Sequence, residues 1–394
     1  MLGRRGRRAG KMSRVEVLSR PVFGACLLSA AGSLIPQSLP LYLTIAYGQG
    51  GASLLGAGWL AGMLFLGQVI ASFCAPALRP GGLRLREILA VALLAQVLLL
   101  VSAGPATGLR LAVWLSLGAA SGALQYMGML VAARGPNPVA AFSVRLSLSM
   151  ALSALVLMTT LARPGISLPS AMLFTQVLQG GVVLVAVGLM LSGPAVVMAI
   201  RVATARPRLR ELWRDAAGVG RLALWIVPFF GGVIAFLNYL PVLAEDAFPA
   251  MSIVAILGAA RLAAAVTIFG LHRIPAQVPR RAFFVAAPLL ACATVELFQV
   301  GTLAVAVVAL CLFEIAVNMT CARFLGEVSL SARHVSQWLT ALVQMGVALS
   351  QVVTAYMVGT RGEEFFAFAL LATFFLPAIW SIYAARGLPE PRSR

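Results

Sequence analysis

Residues 35–41 read Ile35-Pro36-Gln37-Ser38-Leu39-Pro40-Leu41, and residues 236–242 read Phe236-Leu237-Asn238-Tyr239-Leu240-Pro241-Val242. Each stretch lies near the end of a long apolar run. Each places a carboxamide three residues before a proline, and those prolines are 201 residues apart. The next apolar run repeats the pairing: Leu55-Gly56-Ala57-Gly58-Trp59-Leu60-Ala61-Gly62 against Leu257-Gly258-Ala259-Ala260-Arg261-Leu262-Ala263-Ala264, now offset by 202. Small residues at this spacing let helices approach closely. Two blocks recurring in order at nearly one offset also mark a chain built as two copies of one unit, as many membrane folds are.

The composition around these blocks is that of a membrane protein. The chain has 394 residues, 61% of them hydrophobic and 11% charged, with a mean hydropathy of +0.96. Soluble domains run about 45–50% apolar and about 25% charged, so the composition argues against a soluble enzyme with one or two cores and excludes disorder, collagen-like repeats and a disulfide scaffold. A spanning helix needs about 20 mainly apolar residues. Reading between charges and Gly/Pro breaks gives twelve such segments, at 21–44, 52–77, 88–105, 109–132, 139–161, 170–192, 222–244, 250–271, 282–299, 302–322, 335–358 and 364–385. Barrel strands would instead alternate over about ten residues. The expected domains are a basic tail (1–20), a six-helix bundle (21–192), a linker (193–221), a second six-helix bundle (222–385) and a short tail (386–394).

Charge sets the orientation. The formal net charge is +18, and Lys11 is the sole lysine. With both termini cytoplasmic, that side carries the basic residues of both tails, the linker arginines from Arg201 to Arg221, and the loop residues Arg79, Arg84, Arg86, Arg134, Arg273, Arg280, Arg281, Arg323 and Arg333. The other side keeps Arg110, Arg163 and Arg361, with Glu245, Asp246, Glu363 and Glu364. Such asymmetry is the positive-inside signal, so the positive charge points to anionic lipid at the cytoplasmic face and to no nucleic acid. The apolar run after Arg20 is too long for a signal peptide and lacks a small-residue cleavage pattern. Met12 is an alternative start. The cysteines (Cys26, Cys74, Cys292, Cys311, Cys321) lie in apolar blocks without metal spacing and read as packing residues.

The 6+6 arrangement, basic central loop and parallel half repeat resemble the major facilitator superfamily over about residues 20–385. That family's second-to-third loop usually reads Gly-x-x-x-Asp-Arg-x-Gly-Arg-Arg/Lys. Here residues 75–87 read Ala-Pro-Ala-Leu-Arg-Pro-Gly-Gly-Leu-Arg-Leu-Arg-Glu, where Gly82 and Arg84 fit the end and Arg79 stands at the aspartate position. Arg333 is similar to an arginine the family often places before the eleventh span. The fifth span departs from the glycine-rich pattern of many drug/proton exchangers, having no glycine from Ser147 to Leu161. The resemblance implies two bundles related by a pseudo-two-fold axis, with spans 1, 4, 7 and 10 lining a central cavity. Gln37, Gln125, Asn238 and Glu314 then supply one polar residue from each central span.

Ionisable residues inside spans are costly, about 2.5–3.5 kcal/mol each on insertion scales. Glu314 sits near mid-depth of the tenth span and shares a helix face with Cys311, Asn318 and Cys321. Removing a carboxylate from water penalises its charged form unless a cation is near, which suits a proton-coupling group; a structural ion pair is the alternative. Arg261 lies at similar depth in the eighth span and is the candidate partner of Glu314. Arg145, about seven residues into the fifth span, either snorkels to the interface or presents a cation to the cavity. Two cavity arginines would favour a carboxylate-bearing substrate. In the eleventh span Thr340, Gln344 and Gln351 fall on one face. Glu296, His272 and His334 read as interfacial.

No Walker loop, GxGxxG turn, HExxH or CxxC pair is present, so neither a cofactor nor an enzymatic activity is expected, and the short loops leave no room for a nucleotide-binding domain. The expectation is a monomeric secondary transporter in the bacterial cell (inner) membrane, moving a small organic metabolite by proton-coupled efflux through Glu314, Arg261 and Arg145. Uptake of an organic anion or sugar is the alternative, and a non-transporting assembly factor or sensor on the same fold is a third reading.

Overall fold

The computed structural model describes residues 19–48, 53–78, 85–102, 109–132, 138–163, 165–192, 227–242, 244, 249–271, 302–331 and 335–361. These form eleven α-helices: α1 (Arg20–Gln37), α2 (Leu39–Gly48), α3 (Leu54–Leu78), α4 (Leu85–Ser102), α5 (Arg110–Ala132), α6 (Pro138–Ala162), α7 (Leu168–Leu191), α8 (Val227–Val242), α9 (Ala250–Leu271), α10 (Leu303–Ser331) and α11 (Val335–Arg361). There is no strand among the described residues. Eight stretches are long and apolar enough to cross a membrane, one of them α1 and α2 taken together, and α4 and α8 contribute shorter apolar helices. Ten of the twelve expected spans are therefore present as helices. The ninth and twelfth, the linker, the tails, most of the loop arginines, Arg333, Glu296, His272 and His334 lie outside the described residues.

Two boundaries differ from the sequence reading. The first span, expected as one run over 21–44, breaks at Ser38. Pro36 and Pro40 both lack an amide hydrogen, and an α-helix cannot keep its ladder through them. Leu41 N–H and Tyr42 N–H both donate to Ser38 O, at 3.1 and 3.3 Å, so the Gln37 carbonyl loses its usual i+4 partner. The tenth span, expected to stop near 322, continues as helix to Ser331. Arg323, read as a loop residue, thus lies on the helix, because hydropathy marks where lipid ends and not where helical hydrogen bonding ends.

Packing follows the half repeat. In the first half α1 sits against α5, α6 and α7, while α5 also meets α3 and α4; in the second half α9 packs on α10. The crossings are close because glycines remove the obstruction: a Cβ at Gly118 would overlap the Leu64 carbonyl, and one at Gly32 would overlap the Gln125 backbone. Two main seams join the halves, α3 against α11 and α6 against α9, with α10 also touching α6. Exchanging the halves by the sequence offset carries α3 onto α9 and α11 onto α6, so each seam is the counterpart of the other.

Both seams are tight on the side where α3 and α9 begin. Gly58 and Gly62 of α3 face Gln351, Val352, Ala348 and Ala355 of α11, and Gly258 of α9 faces Leu157 and Met158 of α6. A large apolar cluster surrounds these contacts, including Tyr42, Phe236, Tyr239, Phe313 and Val347, all buried. The Phe236 and Phe313 rings meet edge to face with centroids 5.4 Å apart, an arrangement that adds to simple area burial.

Candidate functional site

Below those seams lies a cavity of about 160 Å³, walled by α1, α3, α5 and α6 from the first half and α8, α9, α10 and α11 from the second. A single water needs about 10–15 Å³ of such space, so there is room for on the order of ten waters or one small organic molecule. The lining extends from Asn238 and Gln37, at mid-helix depth, toward Met129, Phe230 and Thr340 near the face where α1 begins. Arg145, Arg261, Glu314, Asn318, Gln37, Gln125, Asn238 and Gln344 all line it. These are the residues that the sequence marked as coupling or cavity-lining groups, and they converge here from seven helices and both halves.

The charged core is Arg261 with Glu314. Their relative exposures are 4% and 1%, and Arg261 Nε lies 3.2 Å from Glu314 Oε1. Asn318, one turn further along α10, donates from Nδ2 to Glu314 Oε2 at 2.8 Å and to the Glu314 carbonyl at 2.9 Å. The i, i+4 spacing on a helix makes this contact automatic. Both carboxylate oxygens are therefore engaged, which a buried charge requires.

Arg261 also crosses to the other half. Its Nη1 donates to Ser153 Oγ of α6 at 3.1 Å and to the Gln37 carbonyl of α1. That carbonyl is the acceptor set free by the Pro36/Pro40 break. One guanidinium thus fixes a carboxylate in its own half and two acceptors in the other, a use of its rigid fork that lysine cannot reproduce. Sequence reading missed Ser153. A signal was available: Arg145, Ser149 and Ser153 recur every four residues and form a polar stripe on α6, comparable to Glu314 and Asn318 on α10.

Arg145 does not snorkel. It is 4% exposed, lines the cavity, and donates from Nε to Ser29 Oγ of α1 at 2.9 Å. Among the described residues no carboxylate pairs with it. Gln351, grouped with Thr340 and Gln344 from helical spacing, is separated from them. Asn238 Nδ2 donates to Gln351 Oε1 at 2.8 Å, and Tyr239 OH donates to the Gln351 carbonyl at 3.1 Å. Gln351 belongs to the polar rim under the α3–α11 seam, while Thr340 and Gln344 face the cavity.

Three glutamines present unpaired acceptors. Gln37 Oε1, Gln68 Oε1 and Gln344 Oε1 are buried without a hydrogen-bond partner, and all three residues line the cavity. Among the described residues no group of histidine, cysteine and acidic side chains is arranged to hold a metal.

Comparison with known proteins locates the fold. No family model matches the chain, and no curated protein matches it by sequence. Solved structures do match nearly end to end. The human organic anion transporter MFSD10 (TETRAN) superposes with a TM-score of 0.67 at 16% identity, covering 93% of this chain and 99% of its own. The nucleoside transporter NupG, solved as a point mutant, gives 0.69 at 12%, covering 92% and 99%. XylE, described as a major facilitator superfamily proton:xylose symporter, gives 0.63 at 14%, covering 94% and 96%. The chain therefore has the all-α major facilitator superfamily fold, and it is a multi-pass membrane protein.

Proposed function

We propose that this chain is a secondary active transporter that works by alternating access, exporting a small carboxylate-bearing organic metabolite against proton entry through Glu314. The observation that carries the reading is Arg261: buried on the cavity wall, paired with Glu314 in one half, and bonded to Ser153 and the Gln37 carbonyl in the other. Protonating Glu314 removes the charge that holds Arg261 in place. The guanidinium then reorganises, and the bonds between the halves change with it. A ligand that binds two states differently shifts their balance by its differential affinity, and a proton on Glu314 is such a ligand.

The same geometry supports a direction of opening. The helix ends that lead into the arginine-rich segments lie on the face where α1 begins, which the positive-inside rule makes cytoplasmic. The cavity extends toward that face and the glycine seams close the other, so the conformation reads as inward-facing. The residence is the cell (inner) membrane, with both termini cytoplasmic, anionic lipid against the basic face, and one chain as the working unit.

The test is flux of a panel of radiolabelled small carboxylates in proteoliposomes, with and without a pH gradient, for the wild type and Glu314→Gln. The gradient is expected to drive transport in the wild type and to have no effect in the variant. Coupled transport unchanged by Glu314→Gln removes Glu314 from the mechanism. A second reading, proton-coupled uptake, draws support from the likeness to a proton:xylose symporter. It is distinguished by the sign of the gradient that accelerates accumulation. A scaffold without transport shows no flux of any kind.

A further inference from the structure

The two cavity arginines differ in what remains open on them. Arg261 is committed to Glu314, Ser153 and the Gln37 carbonyl. Arg145 uses only its Nε, on Ser29 Oγ, and no carboxylate among the described residues meets its guanidinium. A cation only 4% exposed and lacking an anion is costly, so its outward nitrogens call for an anionic group from outside the chain.

The glutamines add a second requirement. Gln68 is 1% exposed, and its amide meets Ser121 of α5. Ser121 Oγ donates its proton to the Gly118 carbonyl at 3.3 Å, so it meets Gln68 as an acceptor, and Gln68 Nε2 donates to it at 3.4 Å. Gln68 Oε1 is left buried and unpaired, in a side chain that belongs to the cavity wall. Gln37 Oε1 and Gln344 Oε1 are likewise unpaired there. A plain fatty carboxylate leaves these three acceptors unsatisfied, and a neutral sugar leaves Arg145 unsatisfied.

We propose that the site takes an organic anion that also carries hydrogen-bond donors, a hydroxy- or amino-carboxylate, with its carboxylate on Arg145 and its O–H or N–H groups on Gln37, Gln68 and Gln344. This deepens the transporter reading and assigns the arginines separate tasks: Arg145 receives the anion, and Arg261 joins the halves. Each buried acceptor left without a donor lowers affinity by roughly tenfold.

The experiment is calorimetric titration of the full chain in lipid nanodiscs, without any gradient, using matched probes. Gluconate is compared with hexanoate and with glucose, and glutamate with glutarate. The expected result is that at least one donor-bearing anion binds about tenfold tighter than its donor-free counterpart, with glucose weaker than gluconate. Gln68→Leu should narrow the margin between the matched anions by about tenfold while leaving the donor-free one unchanged, and Arg145→Gln should weaken both anions. Equal binding within both pairs, no binding of any donor-bearing anion, or a margin that Gln68→Leu leaves unchanged overturns the proposal. The wild-type comparison stands alone if a variant does not fold. Binding is read without a gradient and coupling by flux, so the margin can hold in a protein without proton-coupled flux and coupling can hold without a margin; either proposal can fail while the other stands.

Discussion

The Arg261–Glu314 pair makes a quantitative prediction. Arg261→Met removes three sets of bonds at once and leaves a carboxylate 1% exposed with only Asn318 for a partner. Breaking a buried pair by deleting one member costs about 3–5 kcal/mol, because the other charge is stranded. Glu314→Gln keeps an amide oxygen that can accept from Arg261, but strands part of the guanidinium charge; the surviving bonds to Ser153 and Gln37 O soften that, and about 1–3 kcal/mol is expected. The double variant strands no charge. Its expected cost is about 1–3 kcal/mol, from the lost bonds to Ser153 and the Gln37 carbonyl. The sum of the single effects should therefore exceed the double by about 3–5 kcal/mol, at or above the top of the range usual for contacting residues, as expected of a close charge pair, and well above the about 0.6 kcal/mol typical of neutral membrane hydrogen bonds. The assay is a double-mutant cycle on reversible unfolding in mixed micelles. Additive effects of the two substitutions would refute the reasoning, since they would show that neither charge depends on the other.

Other substitutions test the surrounding structure. Pro40→Ala restores an amide hydrogen, lets Leu41 N–H return to the Gln37 carbonyl, and competes with Arg261 for it; the protein should be no less stable to heat while the closed seam is less populated, read from distances between spin labels on the two halves. Gly58→Val drives a side chain into Ala355 and Gln351 across the α3–α11 seam, and labels at Ser53 and Thr360 should shift to longer separations without loss of helical content. Tyr42→Phe deletes a 2.6 Å hydrogen bond to Thr175, remote from the cavity. It should cost about 1 kcal/mol of stability and leave proton coupling intact, and altered coupling there would argue against confining the mechanism to Arg261 and Glu314.

Much of this was legible from the chain, for specific reasons. Arg261 and Glu314 stood out because charge inside a span is expensive, and equal depth along two helices was enough to suggest the pair. Glu314 with Asn318 followed from helical spacing alone. The long-range partners were not legible: Ser153 is 108 residues from Arg261 and Gln37 is 224 away, and no local rule links serines or carbonyls at such separation. The prolines at 36 and 40 were visible, but the transfer of Leu41 N–H to Ser38, which frees the Gln37 carbonyl, depends on how the broken helix settles. The shared face of Thr340, Gln344 and Gln351 was legible, but which of them lines the cavity was not, because a helix face says nothing about depth. The different hydrogen-bond partners of the two arginines were not legible either, since both look alike as isolated charges.

The two counterpart seams are held by different physics. The α6–α9 seam carries a guanidinium near its middle, together with the Ser147 hydroxyl donating to the Ala265 carbonyl at 2.6 Å. The α3–α11 seam rests on glycine and small apolar contacts at Gly58 and Gly62. On the proposed mechanism protonation acts on the first and leaves the second untouched, whereas cooling weakens the apolar contacts of both and leaves the ionic bonds of the first. The molecule is then a door with an ionic lock on one jamb and a greased gasket on the other. Its switching rate should carry two separable signatures, one answering to pH and the other to temperature, and the slower of the two sets turnover under any given condition.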